Sequence, residues 1–191
     1  MEWRSLCREK LCQGRSQAVV FENSEASLGT WEVLLLLRDL CAQDPEAHCL
    51  LLCEKSQLRN GQVARRALAE DPKLDEALKR VHIKYLSDAP VAQLLALHAL
   101  PFHPKAVACC APVPRVAEGP GSALLVQEHQ LCLMASLLLD ACQSWLPSAS
   151  ALFFESTMKA ESLLGSIFPD IWRIHSDQTN RHRLVAEALF P

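Results

Sequence analysis

Residues 17–41 constrain the fold more than any other stretch of the chain. Gln17-Ala-Val-Val-Phe21 is short, apolar and β-branched, the composition of a buried strand. A polar segment follows, Glu22-Asn-Ser-Glu-Ala-Ser-Leu-Gly29. Thr30 then leads into a leucine-rich run whose Val33, Leu34, Leu35, Leu36, Leu37 and Leu40 give a wide apolar helix face, suited to packing on a sheet. Ser27 and Thr30 offer capping oxygens for a helix starting at Trp31, and Asp44-Pro45 ends it. A strand feeding straight into such a helix commits the chain to alternating β and α layers.

The rest of the sequence continues that alternation. Residues 48–54 are almost continuously apolar, as a central parallel strand is. Residues 56–80 are polar, with helices expected over 61–70 and 73–79 on either side of Asp71-Pro72. Val81-His-Ile-Lys-Tyr85 alternates apolar and polar, which predicts a strand with one wetter face, near an edge. Asp88 is placed to cap a helix over 89–100, which Pro101 and Pro104 break. A short buried strand over 106–110 precedes a Pro- and Gly-rich loop. The helix over 123–146 is the longest; beyond Leu131 it is apolar nearly all round, so both of its sides are expected to be covered. A strand over 151–155, a short helix over 158–166 and a terminal hairpin of 171–175 with 184–190 complete the chain. Residues 1–16 form an N-terminal extension, either a short outer helix or a frayed end. Residues 17–191 form one domain: an α/β fold with a mostly parallel sheet, helices on both faces and a C-terminal antiparallel hairpin.

Composition excludes several classes. Half of the 191 residues are hydrophobic, enough for a sizeable core, and the net charge of −3 gives no global attraction to nucleic acid or acidic membranes. The longest apolar run, residues 131–139, is about half a bilayer span. The charged N-terminus does not read as a secretory signal. The nine cysteines are odd in number and mostly lie in apolar runs, which argues for buried free thiols in a reducing compartment. His48, Cys49, Cys53, Cys109 and Cys110 include metal-ligating types, but the strands that carry them read as core, so no metal is expected. No Gly-x-Ser-x-Gly elbow occurs, and His82, His98 and His103 lack an adjacent nucleophile in sequence.

Strand, polar loop, Thr, helix is also the layout of a phosphate-binding loop. That chemistry needs glycines where the backbone wraps the phosphates and a Lys that reaches the outer ones. Here Asn23 and Ala26 stand near the glycine positions, Gly29 stands at the Lys position, and only Thr30 keeps its type. Asn23, Ser27, Gly29 and Thr30 are therefore the candidate nucleotide-binding residues of a degenerate, inactive loop.

Three further segments carry a resemblance. Leu78-Lys-Arg-Val-His-Ile-Lys-Tyr85 precedes a helix led by Asp88-Ala-Pro90; Ala106-Val-Ala-Cys-Cys110 sits where a Walker B strand belongs; residues 164–172 and Arg183-Leu-Val-Ala-Glu187 match terminal strands. In order and spacing the chain resembles the core ATPase domain of RecA/Rad51-type recombinases. Among these it is most similar to the small divergent paralogues, such as the RecA-like subunit of the vertebrate Shu complex. The resemblance covers nearly the whole chain, but no single motif in it is specific.

The departures are at the chemistry. Gly29 replaces the Lys, and Cys110 stands where the Walker B Asp would hold the Mg²⁺ water shell. Without them neither phosphate charge nor transition state is stabilised, so no ATP hydrolysis and no cofactor are expected. Glu155, at a strand end, stands where the family often has a polar sensor. The resemblance implies a nuclear, non-catalytic subunit of a DNA-repair complex that supports recombinase filaments in homologous recombination. It implies a SWIM-type zinc-finger protein and recombinase paralogues as partners. It also implies contact with single-stranded DNA through Arg59, Arg65, Arg66, Arg181 and Arg183. The alternative is an ATPase-dead RecA-like subunit of another assembly, such as Elongator, which serves tRNA modification.

Overall fold

The computed structural model describes residues 3–21, 26–59, 72–87, 89–110, 122–145, 149–155, 164–176 and 184–188. Seven strands form one sheet: β1 (Gln17–Phe21), β2 (Cys49–Cys53), β3 (Val81–Tyr85), β4 (Ala106–Cys110), β5 (Ser150–Glu155), β6 (Asp170–Ser176) and β7 (Leu184–Ala188). Their spatial order is β3-β2-β4-β5-β1-β6-β7. Every neighbouring pair is parallel except β6 and β7, which are antiparallel with Ile174 opposite Ala186. The expected terminal hairpin and the expected edge position of Val81–Tyr85 are both present.

The two faces of the sheet follow from strand periodicity. Val19, Cys49, Leu51, Cys53, Ala106, Ala108, Cys110 and Leu152 point to one face and join α1 (Trp3–Cys12) and α2 (Ala26–Gln43) in a single core. Ala18, Val20, Leu50, Leu52, Val107, Cys109, Ala151 and Phe153 point to the other. There they meet α5 (Pro90–Leu95), a 3₁₀ turn (Ala96–Ala99) and α6 (Ser122–Trp145). Two short helices, α3 (Lys55–Arg59) and α4 (Pro72–Leu78), lie between β2 and β3 in the chain. The helix expected over 61–70 lies outside the described residues, as does most of the one expected over 158–166.

The extension before β1 is helical. Trp3, Cys7 and Leu11 recur every four residues and are at most 1% exposed, so one stripe of α1 is inserted in the core. Gly14, at φ 72°, ends this helix in the left-handed region. Its N–H donates to the Leu11 carbonyl and that of Arg15 to Lys10, the paired bonds of a Schellman cap. Gln17 Nε2 donates to the Cys7 carbonyl at 2.9 Å, and the Ser150 hydroxyl to that of Leu11 at 3.3 Å, fixing α1 against β1 and β5.

Three helix expectations need correction. The second helix starts at Ala26, not Trp31, so Ser27 and Thr30 are helical residues rather than caps. The helix over 89–100 is a short α-helix followed by a 3₁₀ turn. Its N-cap position is Ala89, with no side-chain cap. Finally, α6 is buried along one stripe only (Leu131, Met134, Ala135, Leu138, Ala141 and Cys142), while Leu133 is 39% exposed. The 3–4 spacing of that stripe marks a helix covered on one side.

At its far end α2 is held by Arg80. The guanidinium Nη2 donates to the Cys41 carbonyl at 2.6 Å and Nη1 to that of Asp44 at 2.7 Å. A cation on the last carbonyls satisfies acceptors that the helix cannot and complements its negative end. Arg80 immediately precedes β3, so one side chain ties helix α2 to the sheet edge.

Candidate functional site

In an open parallel sheet, ligands bind beyond the carboxyl ends of the strands, where the winding direction changes. Here that point is the end of β1. The chain leaves β1, crosses over β5 and β4 to reach β2, and later returns to β1's other side as β6. Helix α2 makes the crossing, and its first turn lies over the ends of the central strands.

Thr30, one turn into that helix, is 0% exposed, and Cys110, the last residue of β4, is also 0% exposed. The Thr30 hydroxyl hydrogen-bonds the Cys110 sulfur. Burial pushes the Cys110 thiol well above its ordinary range, against the smaller opposing pull of Thr30. Cys109 and Cys53 beside it are also pushed up, each to about 12, by burial first. At neutral pH the pair is therefore an uncharged hydroxyl against an uncharged thiol.

The Thr30 amide is not one of the free N–H groups of its helix. A helix leaves only its first four N–H groups without intrahelical partners. Because α2 begins at Ala26, the Thr30 amide lies one full turn inside it. Gly29, at the Lys position of the expected loop, is a buried helical residue.

The structure thus sets Thr30 against Cys110 at the end of β4, with Gly29 buried beside it in the same helix. Ser27 is in the first turn of α2 and Arg59 is the last residue of α3. Glu155 is the last residue of β5, in register with Val20. Asn23, Arg65, Arg66, Arg181 and Arg183 lie outside the described residues. Two cations of the basic stretch that follows β2 are engaged within the protein: Arg80 on the carbonyls of α2, and Lys79 on Glu76 at 2.6 Å.

No family model matches the chain, and no curated protein matches it. Among solved structures it is similar to the RadB recombinase, with a TM-score of 0.60 at 15% identity, over 87% of this chain and 77% of that one. The fold is RecA-like. A likeness at this identity fixes architecture alone.

Two groupings escaped the sequence reading. Ser144 Oγ lies 3.2 Å from His98 Nδ1, and His98 Nε2 lies 3.4 Å from Asp140 Oδ2. The residue types are those of a hydrolytic triad, but the Ser144 hydroxyl donates to the Ala141 carbonyl of its own helix at 2.8 Å. Asp140 is 72% exposed, so nothing shields the imidazole from water. The group is a surface network on α6. The second grouping, His48 with His82, is at the opposite end of the sheet from Thr30. Its signal was the pair of histidines at the starts of two strands, which only the register brings together.

Proposed function

We propose that this chain is a non-catalytic RecA-like subunit of a DNA-repair assembly that supports recombinase filaments in homologous recombination. The observation that supports the reading is the buried Thr30–Cys110 contact, taken as standing where a RecA-like ATPase would hold Mg²⁺ and phosphate. A working site needs a cation on the phosphates and a carboxylate for the metal. Here the corresponding positions hold Gly29 and Cys110. A fold kept with its chemistry replaced is suited to contact with other proteins.

The working partner in this reading is a SWIM-type zinc-finger protein, as in the Shu complex, with recombinase paralogues beyond it and the nucleus as the compartment. Single-stranded DNA is the second ligand, met by Arg59, Arg65, Arg66, Arg181 and Arg183. Such binding falls steeply with salt, because each phosphate contact releases counterions.

The test is native mass analysis of the complex purified from nuclease-treated nuclear extract. The expected species is a heteromer with a SWIM-type protein. A homohexamer, or assembly with subunits that modify tRNA, would overturn the reading. For the DNA contact, single-strand affinity is measured over a salt series; absent or salt-independent binding removes that part alone.

A further inference from the structure

His48 directly precedes β2, and His82 is the second residue of β3 at the sheet edge. Leu50 pairs with His82 in the ladder, so the two histidines are diagonal neighbours on adjacent strands. His48 Nδ1 and His82 Nε2 are 3.0 Å apart, with ring centroids 5.3 Å apart and planes 22° from parallel. We propose that His48 and His82 form a two-imidazole chelate for a divalent transition-metal ion.

The spacing selects the geometry. Imidazole nitrogens bind such ions at about 2.0–2.1 Å. Held at the 3.0 Å separation of the metal-free pair, two such nitrogens would subtend about 95° at the metal. That is the cis angle of a tetragonal or octahedral ion, the preference of Cu²⁺ and Ni²⁺, rather than the wider tetrahedral angle of zinc. Both residues are fixed by backbone: the His48 carbonyl accepts the Lys105 N–H at 2.8 Å, and His82 is held in the ladder. Phe102 packs beside them, 4.5 Å from the His82 ring and 6.1 Å from the His48 ring by centroid.

Without metal the pair shares one N–H···N bond. On binding, that proton moves to the other nitrogen of its own ring and both lone pairs turn to the ion. No net proton and no electron is exchanged. Among the described residues no group of three or more His, Cys, Asp or Glu could hold a metal, so the chain supplies two ligands and water fills the rest. The remaining positions are open to a carboxylate or imidazole from another molecule.

The test uses Ni²⁺ alone, titrated calorimetrically into the intact chain at neutral pH. A Cys12→Ser background removes the exposed thiol as a competing ligand. The expected result is one saturable equivalent, weakened at least tenfold by His48→Gln and by His82→Gln, with no response to Mg²⁺. His48 is exposed, so His48→Gln decides alone if His82→Gln does not fold. Affinity unchanged in His48→Gln, or no saturable binding up to millimolar Ni²⁺, overturns the proposal.

Discussion

In the proposed reading, replacing Cys110 by Asp supplies the acid that a Walker B strand carries, and the structure fixes what that acid meets. The side chain is 0% exposed, and its surroundings are the Thr30 hydroxyl, the Cys53 and Cys109 thiols and the apolar core of the α2 face. No cation is among these described neighbours, so the carboxyl folds in its neutral form. Holding an Asp neutral at pH 7, about three units above its ordinary pKa, costs about 4 kcal/mol. The sign follows from proton linkage. The folded state keeps a proton that the unfolded state releases above about pH 4, so the loss is near zero at pH 4 and grows by about 1.4 kcal/mol per unit. Against a domain stability of about 5–15 kcal/mol this weakens the fold severely without abolishing it. At pH 7 the urea midpoint should fall by roughly 1.5 M for an m-value of about 2.5 kcal/mol/M. Cys110→Ala, the neutral control, should lose about 1 kcal/mol at both pH values. Millimolar Mg²⁺ with ATP should not restore the midpoint. If Cys110→Asp matches wild type at pH 7, or if Mg²⁺–ATP raises its midpoint, the pocket is open and polar and the closed-pair reasoning fails.

Arg80→Met keeps the stem and removes the donors on the Cys41 and Asp44 carbonyls; a loss of about 3–6 kcal/mol is expected in urea unfolding, since each of the two charged bonds contributes about 1.5–3 kcal/mol. A change within error would mean that water replaces the guanidinium. Trp3→Ala should lower stability by about 3–5 kcal/mol, because Trp3 is 1% exposed; a change near zero would show that α1 is dispensable. The Lys105 ammonium, 2.6 Å away, holds the Asp44 carboxyl below its ordinary pKa. That stabilisation is present above about pH 4 and is lost as pH falls through the depressed value. Asp44 is 39% exposed, so Lys105→Met should cost less than about 1 kcal/mol at pH 7 and nothing at pH 2; equal losses at both pH values would contradict an ionic origin.

The sheet was legible where side-chain pattern alone decides burial. Residues 49–53 and 106–110 are apolar on both faces and became inner strands; Val81–Tyr85 alternates and became an edge. The start of α2 was misread because Ser27 and Thr30 have the chemistry of caps, while the leucine-rich helix extends a full turn further back. The stripe of Trp3, Cys7 and Leu11 was present in the sequence, but a short mixed-charge segment gives no sign of what its stripe will meet. The contacts that carry chemistry were the least legible. Thr30 meets Cys110 only because α2 crosses the sheet. His48 meets His82 only because of the register of β2 on β3. Long-range pairings depend on topology, and local pattern does not encode topology.

In the proposed reading, a buried Thr30–Cys110 pair stands where a RecA-like ATPase would hold phosphate and Mg²⁺. The most direct measurement is equilibrium binding of ATP with Mg²⁺ to the purified chain by calorimetry. The account predicts no saturable heat up to millimolar nucleotide. One equivalent bound at micromolar concentration, and weakened by Thr30→Ala, would contradict it.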